Sequence, residues 1–216
     1  MTTKEEIWQE WTDHYVDTEN PIPLFETDEN LTVEYNNYGK DDRRILKRSE
    51  EMESLVREDG RKVINDWSTS DDTYDGLIYL MYWLEDGNII PLYVGKAGKY
   101  GRDGEGLSAN LRGLRGSSTG KFARWGDGHY YHIGNLSAIL FDHDKNQKQK
   151  YEKWADQLFD EGRQLQQQTY FWTKAWQQED TGLYHEFEVP LEQLEYQIIG
   201  LVSDLYPEQL LNDEGA

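Results

Sequence analysis

The strongest constraint on the fold is a pair of apolar runs joined by four turn-forming residues. The first run spans residues 76–84, the second spans residues 89–94, and Glu-Asp-Gly-Asn lies between them. Apolar runs of this length, joined through Asp-Gly, are typical of a β-hairpin. We therefore expect the fold to be built around two antiparallel strands.

The rest of the chain predicts a mixture of helices and strands. Five glycines at 95–106 predict a loop, and a short helical pattern follows at 107–114. Apolar periodicity predicts helices at 4–17, 42–67 (one or two), 146–168 and 191–205. Strands are expected at 129–141, 170–176 and 183–189. These elements predict a fold of the α/β (α+β) class.

Composition limits the number of domains and the available chemistry. The chain has 216 residues, of which 37% are hydrophobic, enough for one sizeable core but thin for two. It has no cysteine, so disulfides, thiolate metal sites and cysteine nucleophiles are excluded. Its start is charged, and no stretch approaches the about 20 apolar residues of a membrane span. We expect a cytoplasmic protein that does not bind membranes.

The charge of the chain is unevenly distributed. The formal net charge is −20, which argues against nucleic-acid binding because such binding depends on Lys and Arg contacts with phosphates. Residues 94–126, however, contain seven basic and two acidic residues. Distant carboxylates are largely screened beyond a Debye length of about 8 Å, so this basic segment can still face phosphate. Adaptation to a salt-rich cytoplasm is one cause that would explain the remaining acidity.

The two predicted hairpin strands carry a recognisable motif. Residues 76–79 read Gly-Leu-Ile-Tyr, and residues 92–97 read Leu-Tyr-Val-Gly-Lys-Ala. Much later, Glu195 is followed by Ile198-Ile199, then by Pro207 and Asn212. These three ordered elements resemble the GIY-YIG endonuclease superfamily, in particular its repair and restriction branches.

The resemblance implies a small core with a central antiparallel three-stranded sheet flanked by helices. The third strand would be residues 170–176. The nuclease-like domain would occupy residues 76–216, and residues 1–75 would form an N-terminal helical extension. The implied activity is metal-dependent hydrolysis of phosphodiester bonds, with DNA as the favoured substrate.

The resemblance also implies roles for individual residues. Tyr79 would orient or deprotonate the attacking water, and Tyr93 would hold the phosphate or assist Tyr79. Glu195 would be the single carboxylate ligand of Mg²⁺ or Mn²⁺, with Glu188 and Glu192 as competing candidates. Metal, base and cationic donors are what phosphodiester hydrolysis needs.

The family's arginine has no clear counterpart. The family pattern places it before an apolar residue in the helix after the second strand, where this chain has Asn110. We expect Arg112 to serve instead, with Arg115 or the loop residue Arg102 as alternatives, since a guanidinium forks well onto phosphate. Lys96 would point toward the same phosphate, or would be an ordinary solvated lysine.

Further residues are candidates for the nucleic-acid surface and the site wall. His132 lies in the segment 124–134, rich in glycine and aromatics, and is a candidate proton-transfer residue. A buried structural corner explains that segment equally well. Asn212 would hold a phosphate or a tyrosine. The residues expected to bind nucleic acid are Lys99, Arg102, Arg115, Lys121, Arg124 and Asn212.

Two other functions remain open at this stage. The chain could keep the fold but have lost the chemistry, as a nucleic-acid-binding or defence-associated module. Its acidity and 13% aromatic content also suit a protein-binding domain, whose basic segment would contact an acidic partner.

Overall fold

The structure, a computed structural model, describes residues 2–40, 42–116, 118–143 and 149–212. Eleven elements are assigned: α1 (Lys4–Tyr15), β1 (Tyr35–Tyr38), β2 (Arg43–Leu46), α2 (Glu50–Thr69), β3 (Tyr74–Glu85), β4 (Asn88–Gly98), α3 (Ala109–Arg112), α4 (His132–Leu140), α5 (Gln149–Leu158), β5 (Tyr170–Gln177) and α6 (Leu191–Leu205). Two short 3-10 helices span Gly113–Arg115 and Phe122–Arg124.

The central sheet confirms the α+β fold class. It has three antiparallel strands in the order β4-β3-β5. In the register of β3, Tyr79 lies opposite Gly95 of β4 and Thr173 of β5. The predicted hairpin, the third strand at 170–176 and the helix at 191–205 are confirmed. The sheet strand β4 lies at one edge, and β5 lies at the other.

The sheet is buried on both faces. Side chains alternate along each strand, so neighbouring residues enter two different cores. Leu77, Tyr79 and Met81 join a core formed with α2, α4 and α5. Their neighbours Ile78, Leu80 and Tyr82 join a second core, formed with α1 and α6. This arrangement explains why residues 76–84 are apolar without alternation.

The two long N-terminal helices begin at conventional caps. Thr3 and Glu6 form a capping box at the start of α1, in which each side chain bonds the backbone of the other residue. The side chain of Ser49 accepts a hydrogen bond from the backbone of Met52 at the start of α2. Both helices then bury their apolar faces against the sheet.

Four predictions of local structure need correction. Residues 129–141 are not a strand, since they contain α4. Residues 183–189 are irregular and form one isolated bridge, Thr181 to Glu188. The helix at 42–67 begins only at residue 50, and β2 precedes it. The helix at 146–168 is the shorter α5, and its predicted start at 146 lies outside the described residues.

The segment 1–75 contains more than helices. Between α1 and α2 lies the two-stranded antiparallel sheet β1–β2, which the sequence did not predict. None of the helices in the described part of the chain is long and apolar enough to cross a membrane.

Candidate active site

Tyr79 lies at the centre of an aromatic cluster on the α2, α4 and α5 side of the sheet. Its side chain is buried, with the ring centroid 6.4 Å from Tyr93, 5.6 Å from Trp125 and 6.3 Å from Phe171. Its hydroxyl donates a hydrogen bond of 3.0 Å to the carbonyl oxygen of Lys96. The two tyrosines that the sequence predicted as site residues are therefore neighbours.

Gly95 allows this position of Tyr79. A Cβ at residue 95 would lie 2.5 Å from Cε2 of the tyrosine ring and 3.0 Å from its hydroxyl oxygen. Those distances are far below van der Waals contact, so only glycine lets the ring lie across β4. Gly95, in the second signature strand, thus leaves the space that the ring of Tyr79, in the first signature strand, occupies.

The environment of Tyr79 favours its neutral form. Burial raises the pKa of this hydroxyl well above its ordinary value, and Tyr93 acts in the same direction. The charge of Arg124 lowers the pKa in part, whereas Glu195 raises it. The neutral hydroxyl donates its hydrogen bond to the carbonyl oxygen of Lys96.

Arg124 is the arginine whose charge acts on the Tyr79 hydroxyl. The three residues Phe122, Ala123 and Arg124 all have positive φ, at 32°, 48° and 82°. Such conformations are strained for residues other than glycine and cluster at functional sites. The exposed guanidinium of Arg124 has no carboxylate partner among the described residues, and its charge reaches the Tyr79 hydroxyl.

Arg48 holds this strained turn in place, and sequence reasoning missed it. Its buried guanidinium donates to the carbonyl of Trp125 at 2.8 Å and to Oδ1 of Asp127 at 2.6 Å. It also pairs with Glu53 at 2.7 Å. Nothing in the sequence marks Arg48, because the two partners in the turn, Trp125 and Asp127, lie nearly 80 residues away along the chain.

Lys96 lies opposite Ile78 in the sheet register, so its side chain is on the α6 face of the sheet, where it pairs with Glu195. The Lys96 ammonium lies 2.6 Å from Oε2 of Glu195 and 3.6 Å from Glu192. Burial tends to lower the pKa of Lys96, but the hydrogen bond and charge of Glu195 outweigh it, so this pKa is raised. The lysine therefore stays charged and neutralises the predicted metal-ligand carboxylate.

His132 lies beneath Tyr93 in the buried aromatic cluster. Its Nδ1 is 2.9 Å from the hydroxyl of Tyr151. Its ring stacks on Trp154 at 5.1 Å and makes a T-shaped contact with Tyr93 at 5.0 Å. The residue is 1% exposed. This geometry supports the structural-corner interpretation of the 124–134 segment more than direct contact with substrate.

The other predicted basic residues are spread over the structure. Arg112 is exposed and donates to the carbonyl of Leu107 at 2.9 Å, and Arg115 lies 4.8 Å from the ring of Trp67. Arg102 and Lys121 are on the surface. Lys99 is different, because it is 1% exposed.

Lys99 forms a buried ion pair. Its ammonium lies 2.6 Å from Asp66 and 3.2 Å from Asp72. Its position does not support the prediction that Lys99 binds nucleic acid, since its charge is already neutralised inside the protein.

Asn212 binds the backbone of β4. Its Oδ1 accepts from the amide of Val94 at 2.9 Å, and its Nδ2 donates to the carbonyl of Val94 at 2.8 Å. The preceding Leu211 donates its amide to the carbonyl of Leu92 at 2.7 Å. Asn212 therefore positions the strand that carries Tyr93 and is not poised to hold a phosphate.

The residues around Glu195 fit a divalent cation of the magnesium type. The described residues contain no group of three or more His, Asp and Glu side chains that could enclose a metal. Mg²⁺ needs no such group, because one or two carboxylates suffice when waters and phosphate oxygens complete the shell. Glu195, with Glu192 nearby, would be those carboxylates. The Lys96 ammonium, 2.6 Å from Glu195 and 3.6 Å from Glu192, lies where such a cation would bind.

Comparison with known proteins gives no family assignment. The chain matches no protein-family model, no curated protein and no solved structure.

Proposed function

We propose that this protein is a metal-dependent endonuclease that hydrolyses phosphodiester bonds in DNA. The observation that carries the proposal is a set of contacts that links the two signature tyrosines to Glu195 through Lys96. The Tyr79 ring lies 6.4 Å from the Tyr93 ring, the Tyr79 hydroxyl donates to the carbonyl oxygen of Lys96 at 3.0 Å, and the Lys96 ammonium lies 2.6 Å from Glu195. The charges of Arg124 and Glu195 both act on the Tyr79 hydroxyl. Phosphoryl chemistry depends on positioned donors and cations rather than on covalent catalysis.

Each group has a distinct task in the proposed reaction. Glu195, freed from Lys96, would hold Mg²⁺ or Mn²⁺, which when bound supplies positive charge to the phosphate and lowers the pKa of water. Tyr79 enters as a neutral phenol and orients the attacking water by a hydrogen bond. Arg124 binds the non-bridging oxygens, and Lys96 moves from Glu195 to the phosphate as the substrate arrives.

Arg124 replaces Arg112 as the favoured catalytic arginine in this proposal. Arg124 acts on the Tyr79 hydroxyl through its charge, whereas Arg112 is engaged by a backbone carbonyl of its own helix start. The turn with three positive φ values, held by the hydrogen bonds of Arg48 to Trp125 and Asp127, sets the backbone of Arg124. Its guanidinium can fork onto two phosphate oxygens at once.

A second candidate function is that of a nucleic-acid-binding module without cleavage. Two observations favour it: the Lys96 ammonium already neutralises Glu195, and the pKa of Tyr79 is raised rather than lowered. Both functions need the basic residues, so binding alone does not separate them. Cleavage does.

The test is incubation of purified protein with supercoiled plasmid, with and without Mg²⁺ or Mn²⁺, from low to molar salt. We expect nicking or linearisation that depends on metal and is lost in Glu195→Gln. Tyr79→Phe and Arg124→Lys should each reduce the rate by about 10²- to 10³-fold, as for other oriented donors. Arg112→Lys is the matched control and should cleave near the wild-type rate.

The salt series separates inhibition by the net charge of −20 from absence of activity. Folded wild-type protein that cleaves at no salt concentration would overturn the nuclease proposal and leave the binding module. Cleavage that survives in Glu195→Gln would remove Glu195 from the metal site. A greater loss in Arg112→Lys than in Arg124→Lys would reverse the assignment of the arginine.

A further inference from the structure

The β1–β2 ribbon presents one polar and aromatic face. Residues opposite one another in an antiparallel ribbon lie on the same face. The register therefore places Asn36, Ile45, Tyr38 and Arg43 together. Ile45 is buried, whereas Tyr38 is 45% exposed. The guanidinium of Arg43 lies 5.8 Å from the Tyr38 ring centroid.

This face borders a cavity of about 160 Å³. Its inner wall includes the apolar residues Ile45 and Leu46, and polar side chains form the rest. The lining residues are Asn36, Tyr38, Ile45, Leu46, Lys47, Arg48, Glu53, Thr119 and Asp127. Pockets for drug-sized ligands start at about 300 Å³, so this cavity accepts only a small group.

We propose that this cavity, the ribbon pocket, receives one unpaired base of the DNA strand bound at the proposed active site. An aromatic ring beside an apolar wall suits the face of a base, since stacking on Tyr is sequence-tolerant. Polar groups at the mouth suit its edge. The inference rests on the proposed function, because it identifies a single-stranded or flipped segment as part of the substrate.

The polar groups of the ribbon pocket divide into occupied and available ones. Arg48 is committed to Glu53 and Asp127, and Lys47 bonds Glu34 at 3.0 Å. The side chains of Asn36 and Thr119 form no hydrogen bond with any other described residue. A carboxamide offers both a donor and an acceptor, which is the pair that base edges present.

The ribbon pocket shares a wall with the candidate active site. Asp127 lines the pocket, and Trp125, two residues earlier, contacts the ring of Tyr79 at 5.6 Å. Arg43 donates to the carbonyl of Asp127 at 2.7 Å, so the ribbon is attached to the same turn. Arg124 belongs to that turn. A base held in the pocket would therefore fix the strand next to the arginine that binds its phosphate.

The test measures binding without metal, so that cleavage plays no part. Fluorescence anisotropy in EDTA would compare a labelled single-stranded oligonucleotide with the same sequence as a blunt duplex. We expect Tyr38→Ala to weaken single-strand binding by about 5- to 100-fold, the value of one lost stacking contact, with little effect on duplex. Tyr38→Phe keeps the ring and should bind as the wild type does.

Two further variants keep the test decisive. Asn36→Ala should weaken single-strand binding without removing the ring, which covers the case in which Tyr38→Ala unfolds the ribbon. Tyr184→Ala removes another exposed tyrosine, 59% exposed against 45% for Tyr38, which is far from the pocket in sequence, and it should leave affinity unchanged. A 2-aminopurine base in the oligonucleotide should be quenched by the wild type and less by Tyr38→Ala.

The possible outcomes separate this inference from the proposed function. Equal losses for single strand and duplex, unchanged single-strand affinity in Tyr38→Ala and Asn36→Ala, or a loss in Tyr38→Phe would each overturn the base pocket. Tyr38-dependent binding by a protein that cleaves nothing would support the pocket and overturn the nuclease. Cleavage by a protein indifferent to Tyr38 and Asn36 would do the reverse.

Discussion

Substitution of Gly95 by alanine tests whether the packing of Tyr79 on β4 is as tight as the structure indicates. The new Cβ would lie 2.5 Å from Cε2 and 2.9 Å from Cζ of Tyr79. The ring is enclosed by Trp125, Phe171 and Tyr93, so it cannot move aside without displacing other aromatics. Overpacking of a buried site costs about 1–3 kcal/mol. We expect the upper part of this range, because several ring atoms are affected.

The matched control lies on the same strand. A Cβ at Gly98 would meet its nearest atom, the carbonyl oxygen of Tyr100, at an ordinary 3.8 Å. Gly98→Ala should therefore change the free energy of unfolding by no more than about 0.5 kcal/mol. Urea unfolding followed by tryptophan fluorescence suits both variants, since the chain has 8 tryptophans.

The same pair of variants connects packing to activity. Gly95→Ala should displace the Tyr79 hydroxyl and reduce plasmid cleavage under conditions in which the protein remains folded, whereas Gly98→Ala should not. The reasoning is refuted if Gly95→Ala unfolds at the same urea concentration as Gly98→Ala. It is also refuted if a destabilised Gly95→Ala cleaves as fast as the wild type, because the ring position would then be irrelevant to function.

Three further predictions concern stability. Lys99→Met should cost about 3 kcal/mol in urea unfolding, because it leaves Asp66 buried without its cation; an unchanged midpoint would contradict this. Burial raises the pKa of Asp59, so its ionised form opposes folding above the ordinary pKa of 3.8. Asp59→Asn should stabilise the protein at neutral pH, with a gain that shrinks as pH falls toward that value; a pH-independent gain would refute it. Asn212→Ala removes two hydrogen bonds to Val94 and should lower the free energy of unfolding by about 1–3 kcal/mol in thermal unfolding. An unchanged stability would show that these two hydrogen bonds are dispensable.

The parts of the fold that the sequence predicted are those with strong local signals. The hairpin has two long apolar runs and an Asp-Gly turn, and α6 has a regular apolar face. At 129–141 the aromatic residues and glycines suggested a strand. Ile133, Leu136 and Leu140 are nevertheless at helical spacing, and the helix forms because this apolar face packs into the core.

The ribbon β1–β2 was beyond local reasoning. Each strand has only four residues, and residues 43–46 fit equally well at the start of a helical stripe. Their extended form depends on contacts made at a distance: the Leu46 amide donates a hydrogen bond to the hydroxyl oxygen of Ser137. Short strands are fixed by such tertiary contacts more than by propensity.

The candidate site was predictable in part for similar reasons. Tyr79, Tyr93, Lys96 and Glu195 belong to ordered motifs, and the structure pairs Tyr79 with Tyr93 and Lys96 with Glu195. The arginine proposed to bind phosphate, Arg124, was not predictable, because its backbone position is set by a turn of three residues with positive φ. No residue type in Phe-Ala-Arg indicates such a conformation. Only the contacts of Arg48 reveal what stabilises it.

The bonds made along the outer side of β4 have a consequence for self-association. Leu92, Val94 and Lys96 alternate along an edge strand, and their outward carbonyls accept from Leu211, from Asn212 and from the Tyr79 hydroxyl. An uncovered edge of this length and apolarity would be a template for pairing with another chain. The segment at 211–212 and the signature tyrosine therefore act together as a guard against aggregation.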